Sequence, residues 1–141
     1  MAAEVTAPLT FQVVIDAASP RAIGEWWAGA LGYIEQPPPP GFDTWEAALE
    51  AAGMDPEVME DLAFAIVDPT GNGPRVFFQK VPEAKVVKNR VHLDLNVGPD
   101  AMDAKADELI ADGATLEGRY DQPHGTWITL LDPEGNEFCV H

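Results

Sequence analysis

Short apolar runs, amphipathic stretches and turn residues follow one another along this chain, and the pattern occurs twice. Phe11 to Ile15 is a strand-like run followed by Asp16-Ala17-Ala18-Ser19-Pro20, and Val91 to Val97 is a second, followed by Gly98-Pro99-Asp100. Each leads into a helix-period segment. In the first, Ser19 is the expected N-cap, with Pro20 at the first helical position. Ile23, Trp26 or Trp27, Ala30 and Leu31 supply its apolar stripe, and Gly32 stops it. In the second, Asp100 is the expected cap, Met102, Ala106, Leu109 and Ile110 face inward, and Gly113 ends the helix.

The repeat continues downstream. Asp68-Pro69-Thr70-Gly71-Asn72 recurs as Asp132-Pro133-Glu134-Gly135-Asn136, each between two apolar runs. Proline presets φ, and Gly and Asn tolerate positive φ, so both copies are expected to be β-hairpin connections. Each half then holds one strand, one helix and about three more strands. Gln12 and His92 are 80 positions apart, while the two turns are 64 apart. The first half therefore carries roughly sixteen extra residues, seen as the tetraproline Pro37 to Pro40 and the stretch to Asp61. Within it, Asp43-Thr44-Trp45-Glu46 resembles a capping box that opens a short helix to Ala51 or Ala52. Gly53 closes it, and Asp55-Pro56 can start a further turn. The insertion is either a lid over a ligand site or a packed surface hairpin. The expected organisation is one domain, with a first module over about 9–81, an insertion at about 37–61, a linker at 82–90 and a second module at 91–141. Neither module can bury both faces of its sheet alone. Paired, they give an α+β fold with a curved mixed sheet, helices outside, and a central cavity where the halves meet.

Charge narrows the partners. With 24 acidic against 8 basic residues, the formal charge is −16, which repels phosphate backbones and anionic lipid. Neither nucleic acid nor membrane is an expected partner. Lys80, Lys85, Lys88 and Arg90 cluster as a local anion-attracting patch or, more simply, a solvated linker face. Cys139 is the single cysteine, so no intrachain disulfide or cysteine-based zinc cluster is available. The first residues lack a basic, apolar signal pattern, and no apolar run approaches membrane-spanning length, so a cytoplasmic location is expected. No nucleotide-binding fingerprint occurs, and no nucleotide cofactor is expected.

Two βαβββ units with a DPxGN hairpin before each last strand resemble the vicinal oxygen chelate superfamily, the glyoxalase, bleomycin-resistance and extradiol-dioxygenase group. Trp26-Trp27 before Leu31-Gly32-Tyr33, the run Lys88 to Leu95, and Asp132 to Val140 carry the resemblance, which covers about residues 9–141. The tetraproline and inserted helix are similar to those of a bacterial glyoxalase-like branch. The fold hosts isomerases, lyases, dioxygenases and drug-sequestering proteins, so function must come from the site.

In metal-binding members, the first and last strands of each half supply one ligand apiece. Carried over, the first-strand positions are Gln12 and His92, both acceptable ligands at equivalent points of the repeat. The last-strand positions fall on Phe77, which cannot ligate, and Cys139. Residues two apart share a strand face, so Gln79 and His141 offer a shifted set: Gln12, Gln79, His92 and either Cys139 or His141. Zn, Ni, Mn or Fe are the candidate divalent ions. Without a carboxylate, Mn and Fe(II) should bind poorly and Zn stays open, and the expectation tilts toward no bound metal. Trp127, Phe77 and Trp26 or Trp27 are candidate walls for a flat ligand. Asp121 and His124, beside Tyr120, form either an acid–base couple or a polar turn. Because adjacent tryptophans are not expected to share one core, the one left out is a candidate contact in a homodimer. Two readings stand together. One is an enzyme acting on a small metabolite, anchored by Gln12, His92 and Gln79. The other is a metal-independent binding protein holding a small molecule among Gln12, Trp27, Phe77, Gln79, Trp127 and Cys139.

Overall fold

The computed structural model describes residues 7–141. Two four-stranded mixed sheets carry the fold. The first has the order β1-β4-β3-β2, from β1 (Val13–Ala17), β2 (Ile34–Glu35), β3 (Ala63–Val67) and β4 (Val76–Lys80). The second has the order β5-β8-β7-β6, from β5 (Asp94–Leu95), β6 (Thr115–Gln122), β7 (Gly125–Leu131) and β8 (Glu137–Val140). In each, the first strand pairs parallel with the last, and the remaining pairs are antiparallel. The duplication is thus a duplication of topology. The first strands differ from the sequence expectation. β1 starts two residues later than Phe11, and β5 is far shorter than Val91 to Val97, although Cys139 N–H donates to the Leu93 carbonyl and His141 N–H to that of Leu95.

Helix α1 (Pro20–Leu31) follows β1, and α4 (Met102–Ala111) follows β5. In α1, Ile23, Trp27 and Ala30 recur at helical spacing and are buried against the first sheet. Gly32 ends the helix at φ 74°, a left-handed conformation that costs glycine little. Gly24 is needed for another reason: a Cβ there would overlap the Phe64 ring, so the missing side chain lets α1 settle onto β3. Ser19 stands at the N-cap position but its side chain makes no cap bond. Instead the Glu134 carboxylate accepts from the Ala18 and Ser19 backbone N–H groups, reaching from the second module's turn. In α4 the cap is Ala101, not Asp100, and Ile110 is exposed rather than inward. Met102, Ala106 and Leu109 alone face the core.

The tryptophan pair corrects the expectation that only one can meet the core. Trp26 and Trp27 both pack edge-on against Phe138 of β8, at centroid distances of 5.6 and 4.9 Å. Trp26 is partly buried and donates from its indole to the Asp112 carbonyl. Trp27 is almost wholly buried and donates to the Asp132 carboxylate at 2.9 Å. One continuous core therefore joins the modules, and the Asp132 turn is part of it. Losing a ring placed like Trp27 costs about 3–5 kcal/mol.

Both Asp-Pro-x-Gly-Asn turns connect antiparallel strands, β3 to β4 and β7 to β8. The insertion between β2 and β3 holds α2 (Trp45–Ala51) and α3 (Pro56–Leu62). Thr44 caps α2 by accepting from the Ala47 N–H, and Asp55 caps α3 by accepting from Glu57. Two of the four cations of the basic linker cluster are paired: Lys80 with Asp61 at 2.7 Å, and Lys85 with Glu137 at 3.0 Å. No helix among the described residues is long and apolar enough to cross a membrane.

Candidate functional site

Strand alternation sorts the side chains. Val76, Phe78, Phe64 and Ile66 in the first sheet, and Phe138, Val140, Ile128 and Leu130 in the second, enter the shared core. The residues between them lie on the opposite, inner faces. On the second module this face is polar and convergent. His92 precedes β5, Asp94 lies in it, and Asp94 sits opposite Cys139 of β8 in the parallel register. His92 Nδ1 is 2.7 Å from Asp94 Oδ1, and Cys139 Sγ is 4.0 Å from the same nitrogen. One ligating atom from each of the three lies within 4.8 Å of the other two. His141 Nε2 approaches the second Asp94 oxygen at 3.7 Å. Thr129, opposite Cys139 on β7, contacts its sulfur at 3.4 Å. Burial pushes the Cys139 thiol pKa up; the Thr129 hydroxyl opposes this and the Asp94 charge adds to it. An ion entering here would displace a thiol proton.

Asp94 is the site residue that the sequence reading missed. Its signal was the strand period: His92 and Asp94 are two apart, so they share a face as surely as Cys139 and His141 do. It supplies the carboxylate that every set drawn from the repeat lacked.

The first module's inner face has a different chemistry. Gln12 does not turn toward His92's partners; its Oε1 accepts from Arg75 Nη1 at 2.7 Å. Arg75 Nε donates to Gln36 Oε1 at 2.9 Å, and the guanidinium lies 5.0 Å above the Phe77 ring. Gln79 donates to Asp16 at 2.8 Å. Phe77, Ala63 and Ala65 floor a cavity of about 530 Å³ whose walls include Trp45, Leu49 and Met59 of the insertion. A second cleft of about 950 Å³ lies between the modules, lined by β1, the linker and the Asp132 turn, with His92 at its edge.

The aromatic residues expected to share one ligand wall are separated. Phe77 floors the first-module cavity and Trp27 is core. Trp127 stacks on Tyr120 at 5.7 Å and on His124 at 5.1 Å along the β6–β7 hairpin. The Asp121–His124 couple does not form. Asp121 accepts from Thr126 across the hairpin end, which is the polar-turn alternative. Tyr120 donates to Glu117, and that bond holds its phenol pKa above the ordinary value.

The profile of the glyoxalase-like domain matches residues 12–141. This chain belongs to the glyoxalase-like domain family. Solved structures agree at the level of the fold, that of the vicinal oxygen chelate superfamily. A glyoxalase/bleomycin resistance protein/dioxygenase family enzyme from Burkholderia phytofirmans superposes with TM-score 0.64 at 19% identity, covering 92% of this chain and 94% of its own. The fosfomycin resistance protein FosX from Listeria monocytogenes, complexed with Mn(II) and 1S,2S-dihydroxypropylphosphonic acid, gives TM-score 0.66 at 9% identity, with 97% and 92% coverage. A hypothetical protein, SA1046 from S. aureus, gives 0.60 at 13% identity, with 94% and 95% coverage. No curated protein sequence matches the chain.

The glyoxalase-like chain does not fit a metal held across both modules at the four carried-over positions. Phe77 has no donor atom. Gln12 is bonded to a guanidinium, and a cation beside Arg75 would meet its positive charge. The shifted set fails likewise, because it also needs the Gln12 oxygen that accepts from Arg75. Among the described residues, the second module alone offers a donor set suited to an ion: imidazole, carboxylate and thiol, with His141 beside them. That mixture suits a borderline-soft ion such as Zn(II) better than Mn(II).

Proposed function

We propose that this glyoxalase-like protein handles a small organic metabolite at the inner face of its second module, using a divalent ion of the zinc class held by His92, Asp94 and Cys139. The convergence of those three ligating atoms within 4.8 Å carries the reading. Three protein ligands leave coordination positions for a ligand's oxygens, and a bound ion would act there as a Lewis acid. The residues have their own roles. With no ion bound, Asp94 Oδ1 lies 2.7 Å from His92 Nδ1 and sets the ring orientation; with one bound, both groups would serve as its ligands. Thr129 holds the Cys139 sulfur in place. An ion held with open positions suits lyase or isomerase chemistry next to a carbonyl, which it would polarise. FosX, a mutant of which is complexed with Mn(II), supports a metal in this fold.

Metal analysis by mass spectrometry tests this. Purified protein reloaded with Zn(II) after chelation should hold close to one ion per chain. His92→Ala and Asp94→Asn should lose it while keeping the wild-type circular dichroism. Wild-type protein that takes up no ion would sink the metal reading.

A second reading, metal-free sequestration of a small molecule, is favoured by one observation: the cross-module donor set is broken at Gln12 and Phe77. A homodimer accompanies either reading. Phe11, Val86, Val87 and Val91 are each at least three-quarters exposed, and they flank the unpaired edges of β1 and β5. A second copy is the simplest cover for that surface.

A further inference from the structure

Arg75, Lys88 and Arg90 make no ion pair among the described residues, and of these three only Arg75 lines the first-module cavity. Arg21, which lines the same cavity, lies within 3.6 Å of three carboxylates, from Glu25, Glu35 and Glu60. Two of the five N–H groups of Arg75 are taken by neutral amide oxygens, of Gln36 and Gln12, and its plane is set over the Phe77 ring. The guanidinium is therefore oriented from two sides without being neutralised, half-buried at the edge of a cavity of about 530 Å³. A fixed guanidinium with donors to spare matches the fork of a carboxylate. Phe77, Trp45, Leu49, Met59, Ala63 and Ala65 give the lining an apolar and aromatic part. Glu35, Glu46, Glu57 and Glu60 also border the cavity. They repel a dianion such as a phosphate ester more strongly than a monoanion, so the unpaired guanidinium best suits a single carboxylate on an apolar body.

We propose that Arg75 anchors a small monocarboxylate in the first-module cavity, with the flat apolar body of the ligand lying between Phe77 and the inserted helix α2. Gln12 and Gln36 are positioning residues for the guanidinium. The insertion supplies a wall of the site, with Trp45 fixed by its indole bond to the Gln36 carbonyl at 2.7 Å. The site stands apart from the second-module ion and needs none.

The test is a titration followed by ¹H–¹⁵N NMR, on chelated protein, with benzoate, benzamide and benzamidine as probes of one shape and three charges. Benzoate should move the Trp45 indole N–H and the Arg75 Nε–H signals saturably, with benzamide and benzamidine at least tenfold weaker. Arg75→Gln should weaken benzoate at least tenfold. Gln12→Glu gives the guanidinium an internal carboxylate at the position now accepting its bond. It should weaken benzoate as much while melting no lower than wild type, so the proposal stays testable if Arg75→Gln fails to fold. Benzamide or benzamidine binding as tightly as benzoate would overturn it. So would Arg75→Gln or Gln12→Glu binding benzoate within twofold of wild type, or shifts confined to the second module. Because the protein is chelated, failure here is separate from failure of the zinc reading.

Discussion

At the start of the last strand in each module, the inner face carries a charge, and the two charges are opposite. Arg75 immediately precedes β4 and Glu137 opens β8, each two residues before the aligned pair Phe77 and Cys139. The contrast runs on along the face. Val14 opposes Phe77 where Asp94 opposes Cys139, Ala65 opposes Phe77 where Thr129 opposes Cys139, and Gln79 stands where His141 does. One face offers a guanidinium, amides, alkyl groups and a phenyl ring. The other offers imidazoles, carboxylates and a thiol. The same backbone carries a face built around a guanidinium in one half and a face built around imidazole, carboxylate and thiol in the other. Duplication preserved the strand pairing because that depends on alternation and turns. It left the inner faces free to diverge because no core packing constrains them.

The largest effect expected from this comparison lies in the turns, not in the sites. Asp132 is 3% exposed. Its carboxylate accepts from the Trp27 indole, the Glu134 and Asn136 backbone N–H groups and the Asn136 side chain. Asp68 serves only its own turn, through Thr70 and Gly73. Asp132→Ala strands the buried Trp27 N–H and should cost about 3 kcal/mol. Asp68→Ala should cost clearly less. Urea unfolding of the two variants checks this, and equal losses would mean that the Trp27 bond does not couple the modules.

A smaller effect concerns pH. Burial alone would raise the Glu137 pKa, but the Asn89 N–H and Lys85 outweigh it and hold the group below its ordinary value. A carboxylate lowered on folding adds stability above its unfolded pKa and loses it as pH falls through the folded pKa. Unfolding free energy should therefore decline in the acid range, and Glu137→Gln should flatten that decline. Arg75→Gln, at the equivalent position, should leave the slope unchanged. Denaturant titrations from neutral pH to about pH 3 distinguish the two.

The smallest effect is expected at Lys80. Its pair with Asp61 is 2.7 Å long but solvent-exposed, so Lys80→Ala should change stability by no more than about 0.5 kcal/mol. A larger loss, seen as a shift in urea midpoint, would show that this pair anchors the inserted helix α3.

Local chemistry made much of the fold legible. Proline, glycine and aspartate mark both hairpins, Pro20 and Gly32 bound α1, and Thr44 caps α2, because each acts through its own few residues of backbone. The boundary errors have the same origin in reverse. β5 is short and Asp100 is not a cap, because pairing with β8 and the local path of the chain settle those ends. Trp26 was misjudged because its neighbours come from the second module.

The site was legible only in part. His92 and Cys139 stood out from the repeat, and Asp94 was open to the same strand-period reasoning. That Gln12 is tied to Arg75 was not visible, since 63 residues separate them and no periodicity links them.

By itself, then, the sequence determined the duplicated βαβββ plan, the inserted helical segment and the membership of the glyoxalase-like family, all of which rest on local pattern. Tertiary structure alone decided which polar groups share a face and which cancel one another. It placed His92, Asp94 and Cys139 together, spent Gln12 on Arg75, and left that guanidinium without a carboxylate. Those outcomes depend on distances between strands remote in sequence, which hydrogen-bond register sets and composition does not record.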